Sequence, residues 1–298
     1  MSPALLWLTL AIIWSSSYAA IKLGIASISP LNLVAGRMLL GAVIMLLILR
    51  WRGQTLSLSK QVWFTYGVTG LVGNVIPFFL ISYGEAHVES ALAAIFMGLA
   101  PVVTVLLAHI ILPDEPLNAR SAVGVAIGFI GLIVLVGPSA FDSFGSHLGG
   151  QLAIFGAALC YATTTLYSKR YAKRPPLEMA AGSMFVGAAA VTFVAALLFD
   201  PSSLQAMTDT SLAAMLYLGA FPTALATLIY FYLIPKLGAA RLSQVNFAVP
   251  LGGALIGVLF LNETLVPSVG VAMIIIVAAI YLVTSNKPSA RKHRQEGH

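Results

Sequence analysis

Apolar residues run along this chain in blocks of about twenty, the length a helix needs to cross about 30 Å of hydrocarbon, and short stretches rich in Pro, Gly and basic residues separate them. Hydropathy places the blocks near 4–24, 31–49, 62–83, 90–111, 118–136, 149–169, 177–199, 210–234, 241–261 and 266–284. The pattern predicts an all-α integral membrane protein of ten transmembrane helices. Ten spans bring both termini to one side. Fourteen of the sixteen lysines and arginines fall on that side, in the loops around Arg50–Lys60, Arg120, Lys169–Arg174 and Lys236–Arg241 and in the tail from Lys287 to Arg294. Lys22 and Arg37 are the two exceptions. The enrichment of basic residues in cytoplasmic loops then assigns both termini to the cytoplasm.

Composition narrows the class. The chain is 59% hydrophobic and 9% charged, whereas a soluble domain carries about a quarter charged residues, so lipid is its expected solvent. The net charge of +6 does not indicate nucleic acid, because the basic residues are scattered over short loops. One cysteine, Cys160, excludes an intramolecular disulfide and a thiolate metal site. His87 and His109 lack metal-ligand spacing, and no cofactor is expected. The run Leu5–Ala20 has the apolarity of a secretion signal but no basic segment before it, and it continues to Ile25, so it reads as the first span.

The chain also repeats itself. Pro30-Leu31-Asn32-Leu33-Val34-Ala35-Gly36-Arg37-Met38 aligns with Pro176-Leu177-Glu178-Met179-Ala180-Ala181-Gly182-Ser183-Met184. Trp14-Ser15-Ser16-Ser17 faces Tyr161-Ala162-Thr163-Thr164, Lys22 faces Lys169, Pro77 faces Pro222, Pro101 faces Pro250, and Glu115 faces Glu263. Two five-helix copies follow, 1–137 and 149–285, with a basic tail at 286–298. Five is odd, so the second copy enters the membrane from the opposite side. Inverted repeats of this kind serve alternating access, in which the halves exchange roles around a central site.

The 5+5 arrangement, the Trp14-x-x-x-Tyr18 run, Arg37 in the second span, and the segments Leu-Pro-Asp-Glu-Pro-Leu (112–117) and Leu-Asn-Glu-Thr-Leu (261–265) resemble the EamA-type transporters of the drug/metabolite transporter superfamily. The length and the Ser/Tyr-rich first helix are most similar to bacterial amino-acid exporters of the YddG kind. The resemblance implies efflux of amino acids, aromatic ones included, or related metabolites across the bacterial inner membrane, with a small-molecule substrate, the lipid bilayer and no nucleic acid as partners. A monomer is the expected unit.

Helix breakers and polar side chains within spans are tolerated where they line a cavity or another helix. The matched prolines Pro77 and Pro222 therefore mark the candidate substrate site. Polar and aromatic residues near them complete it: Trp14, Ser15, Ser17, Tyr18, Asn74, Tyr83, Thr163, Thr164, Tyr167, Gln244 and Asn246. Ser and Thr are weaker indicators, since they often bond their own helix backbone. Arg37 has three readings: snorkelling to the outer surface, pairing with Glu85 or Glu89, or attracting an anionic group of the solute. Glu115 and Glu263 precede helices and suit the positive end of a helix dipole. Gly124-x-x-x-Gly128 and Gly253-x-x-x-Gly257 are expected to be close-packing faces.

The four aspartates and six glutamates lie in loops, near span ends or in the tail. Proton relays usually rely on carboxylates inside spans, so an uncoupled facilitator is expected. An intramembrane enzyme would need paired catalytic groups at membrane depth, and a scaffold would leave the matched breaks without a purpose. The alternative solute is an organic cation or drug-like amine held by aromatic faces, with proton coupling.

Overall fold

A chain in hydrocarbon has to satisfy its own backbone polar groups, and a helix does so within one segment. The computed structural model describes residues 2–88, 90–142, 144–198, 207–260 and 267–285, and these form helices joined by short turns, with no strand among them. In chain order the helices are α1 (Pro3–Ile25), α2 (Pro30–Trp51), α3 (Lys60–Gly70), α4 (Ile76–Glu85), α5 (Ser90–Met97), α6 (Leu99–Ile111) and α7 (Ala119–Val136). There follow α8 (Leu148–Tyr171), α9 (Pro176–Leu197), α10 (Asp209–Leu218), α11 (Ala226–Leu237), α12 (Ala239–Ser243), α13 (Val245–Phe260) and α14 (Pro267–Thr284). Among the described residues seven helical runs are long and apolar enough to cross a membrane: Pro3–Ile25, Pro30–Trp51, Lys60–Glu85, Ala93–Ile111, Ala119–Val136, Pro176–Leu197 and Asp209–Leu237. The segment 261–265 and the tail 286–298 lie outside the described residues.

Local chemistry sets where the helices begin. The side chains of Ser2, Ser29, Asn118 and Thr208 each accept a hydrogen bond from the backbone N–H three residues on, which satisfies one of the free donors at a helix start. Proline occupies the first turn of α1, α2 and α9, where its missing N–H costs nothing. Large apolar side chains such as Leu8, Ile12, Leu47, Phe193 and Ile274 remain exposed on the outer faces, as a lipid solvent requires.

Two runs are interrupted inside the bundle. α3 passes into α4 through a π-helical turn at Leu71–Val75, and α10 passes into α11 through another at Gly219–Leu225 that contains Pro222. Proline supplies no N–H and crowds the preceding turn, and the wider π turn absorbs both effects. Beside the first break the Asn74 amide donates to the carbonyl of Thr69 at 3.0 Å, replacing backbone pairing with a side chain.

The two halves of the sequence interleave. α1 packs on α10, α11 and α13, α2 and α3 pack along α9, and α4 packs on α8. Small residues permit the closest approaches. A methyl group at Gly70 would strike the Ser183 carbonyl, and one at Gly182 would lie 2.6 Å from the Tyr66 ring. Gly124 and Gly131 bring α7 against α14, and Gly128 receives the Phe247 ring. The expectation for Gly253 is corrected: among the described residues nothing lies within 4 Å of a methyl there, while its neighbour Gly252 packs on Ser15.

Candidate functional site

The interrupted runs, together with α1, α8 and α13, enclose two adjoining cavities. One holds about 50 Å³ and is walled by Trp14, Asn74, Thr164, Pro222, Tyr230 and Asn246 among others. The second, about 30 Å³, lies toward the Ile25 end of α1 and is walled by Ser17, Tyr18, Ile21, Arg37, Ile81 and Met97 among others. Trp14, Phe78, Tyr161 and Asn246 border both, so they form the neck between them. Across that neck the rings of Trp14 and Tyr161 stack, with centroids 6.3 Å apart and planes 19° apart. These two residues occupy aligned positions in the two halves of the sequence.

The structure gathers Trp14, Asn74, Thr164, Pro222 and Asn246 on the first cavity and Ser17 and Tyr18 on the second. Among the described residues the buried Thr164 Oγ1 has no hydrogen-bond partner, which leaves a polar handle in a largely apolar wall. Other expected wall residues lie elsewhere. Ser15 is buried and donates to the Ala11 carbonyl at 2.7 Å. Pro77 is buried beside the break, off the wall. Gln244 is fully buried and donates to the Ala240 carbonyl at 3.0 Å, and its Oε1 has no partner. Tyr167 sits near the end of α8 against the Tyr171 ring, with its hydroxyl 3.4 Å from Thr65 Oγ1.

Two placements are corrected outright. Thr163 is exposed on α8 and bonds the Leu159 carbonyl at 2.8 Å; one residue step turns it about 100° from Thr164. Tyr83 is exposed too, and it stacks on Phe79 and on the imidazole of His87. Phe78, Tyr161 and Tyr230 line the site although the pattern of polar residues did not select them. Tyr161 was signalled by its alignment with Trp14.

Arg37 departs furthest from expectation. It is 2% exposed, so it does not snorkel. Its Nε donates to Thr223 Oγ1 at 2.8 Å, and its guanidinium carbon lies 3.9 Å from the centroid of the Phe78 ring. Among the described residues no carboxylate lies within 4 Å of it. The expected pairing with Glu85 is therefore absent, and Glu89 lies outside the described residues. Glu85 is itself buried at the end of α4, and among the described residues neither of its carboxylate oxygens has a hydrogen-bond partner.

At the opposite end of the bundle a polar recess is lined by Asp114, Glu115, Lys169, Lys236 and Arg241 among others. Here the role expected of Glu115 is corrected. Its own following helix, α7, is capped by Asn118. The Glu115 carboxylate instead reaches across to the second half and accepts from the backbone N–H of Ala239 at 2.7 Å and of Ala240 at 2.8 Å. Gly238 makes the approach possible, with φ of 82° and the Glu115 carboxylate where a side chain would stand. Lys169 lies 3.3 Å from Asp114 and 3.9 Å from Glu115. A second cross-linking carboxylate had no signal of its own in the sequence: Glu178 accepts from the Tyr66 hydroxyl at 2.7 Å and from Arg174 Nε at 3.0 Å. Among the described residues no cluster of His, Cys, Asp or Glu suits a metal ion.

Comparison with known proteins agrees with this architecture. The EamA-like transporter family matches twice, over residues 1–137 and 148–285. The uncharacterized transporter YoaV of Bacillus subtilis (strain 168) is 24% identical over 278 residues, which span 93% of this chain and 94% of YoaV. The uncharacterized inner membrane transporter YedA of Escherichia coli (strain K12) is 28% identical over 280 residues, 93% of this chain and 89% of YedA. A crystal structure of a protein 23% identical in sequence superposes with a TM-score of 0.79 over 95% of this chain and 97% of its own, so the fold is shared. Matched by the family over nearly its whole length, the chain belongs to the EamA-like transporters of the drug/metabolite transporter superfamily.

Proposed function

We propose that this protein exports small metabolites, amino acids including aromatic ones, from the cytoplasm by alternating access. It would do so as a ten-helix protein of two inverted five-helix repeats, with both termini in the cytoplasm of a bacterial cell. The observation that carries the reading is the pair of cavities built jointly by both halves beside the interrupted helices. Together they offer aromatic faces at the neck and a few polar handles, the usual composition of a small-molecule site. The double match to one family supports two copies, and the asymmetry of basic residues supports the orientation.

Transport is proposed to follow the solute's own gradient. Among the described residues no aspartate or glutamate lines either cavity, and a solute made inside the cell needs a selective path out. The competing reading, a proton-coupled exporter of organic cations, draws on the buried and unpaired Glu85, but the Arg37 charge in the second cavity disfavours a cation there. Protein reconstituted in liposomes decides between them. Counterflow of labelled phenylalanine is expected without a pH gradient, and an imposed gradient is expected to produce no accumulation above equilibrium. Uphill accumulation abolished by a protonophore would refute the uncoupled mechanism, and absence of flux for a panel of amino acids would refute the exporter reading.

A further inference from the structure

Among the described residues Arg37 is a buried charge left without a counter-charge. Arginine stays protonated at any pH the protein meets, and an ionised side chain at membrane depth is costly unless it is paired or faces a functional cavity. Arg37 borders the second cavity and is almost fully buried, and among the described residues no carboxylate lies within 4 Å. Its fork has five N–H donors; Thr223 accepts from Nε, and Phe78 lies under the plane. The two contacts fix the guanidinium in orientation and leave its charge uncompensated.

We propose that Arg37 is the anchor for a carboxylate on the solute, so that the substrate class is carboxylates with an apolar or aromatic body and excludes amines that lack the acid group. The proposal rests on the export reading of the same cavities. A carboxylate docked on a guanidinium makes charge-assisted, often bidentate bonds, which would offset the cost of burying the arginine. The body of the solute would then extend toward the neck, where Trp14 and Tyr161 present their rings. The competing account is a purely structural one, in which Arg37 serves to tie α2 to Thr223 in the second half.

Binding to the purified full-length protein separates the two accounts, read by tryptophan fluorescence with three probes: phenylalanine, 3-phenylpropionate and phenethylamine. Wild-type protein is expected to bind both acids at least about tenfold more tightly than the amine, tenfold being about 1.4 kcal/mol. Arg37→Gln is expected to lose about tenfold or more for both acids and to leave the amine within about twofold. Arg37→Lys keeps the charge but not the fork; it is expected to weaken the acids several-fold, and it carries the test if the glutamine variant does not fold. The proposal is overturned if wild-type protein binds neither acid, if it binds the amine as tightly as the acids, or if acid affinity is unchanged in the folded variant. Acid binding that depends on Arg37, without flux in liposomes, would uphold the anchor and overturn the transport reading. Flux of phenethylamine equal to that of the acids would overturn the anchor and leave transport standing.

Discussion

Glu115→Ala removes the contact that ties the α6–α7 turn to the start of α12. The carboxylate accepts two main-chain N–H bonds, at 2.7 and 2.8 Å, and a hydrogen bond to a charged group contributes about 1.5–3 kcal/mol net. Fully sealed, the pair would amount to about 3–6 kcal/mol on that scale. The recess beside it is open, however, with the Asp114 side chain 63% exposed, so water recovers part of the loss at the freed N–H groups. The neighbouring Lys169–Asp114 pair is likewise half solvated and adds little. The expected net weakening is about 1.5–3 kcal/mol, a shift of roughly ten- to a hundredfold toward opening at this end of the bundle. Ser243 reports it, because it is 4% exposed and lines the larger cavity just beyond the contact. In Ser243→Cys on a Cys160→Ala background, a water-soluble maleimide should label the thiol about tenfold or more faster when Glu115→Ala is added. Glu115→Gln keeps one acceptor oxygen and should fall between. Equal labelling rates with and without Glu115 would refute the contact as a restraint on opening.

Three further outcomes are expected. Single cysteines at Asp142 and Lys173, both exposed, should label oppositely with an impermeant reagent added to intact cells, the first reactive and the second protected; equal labelling would overturn the assigned orientation. Gly70→Ala places a methyl against the Ser183 carbonyl, a backbone contact that cannot swing aside, and should cost about 1–3 kcal/mol in thermal unfolding in detergent; Gly67→Ala, which meets nothing within 4 Å, should be neutral or stabilising by up to about 1 kcal/mol. Trp14→Ala and Asn74→Ala should reduce amino-acid counterflow severalfold while the protein still folds and inserts, and normal flux in both would remove these residues from the site.

Hydropathy foretold the helical runs because the cost of exposing backbone to lipid is paid residue by residue, and about twenty apolar residues are needed wherever the chain crosses. It also foretold the interruptions, since Pro77 and Pro222 act on their own local backbone. Rotation about each helix axis was not legible. Lipid and protein interior are both apolar, so α8 carries almost no amphipathic signal, and nothing in the sequence tells Thr163, which faces outward, from Thr164, which lines the cavity. The same ambiguity hid Phe78 and Tyr230, whose rings suit either environment. Glu115 was misread, and the snorkelling and Glu85-pairing readings of Arg37 failed, for another reason. A charge near a span end is ordinarily met by water or by its own helix, and here Thr223 and Ala239, more than a hundred residues away, meet it instead.

The Trp14–Tyr161 stack joins two residues that hold the same place in the two copies, and they are not alike. Under the alternating access proposed above, identical copies exchanging their conformations would turn the inward-open state into the outward-open one rotated by a half-turn, and the two would have equal energy. Every aligned pair that differs breaks that degeneracy: Trp14 against Tyr161, Asn32 against Glu178, Arg37 against Ser183. Glu178 ties down Tyr66 and Arg174, and Ser183 bonds its own helix at Ala180, so none of these differences is neutral to packing. On that proposed mechanism the resting bias of the transporter lies in the divergence between its halves, and a chain built from two copies of the first half would have no preferred side to face.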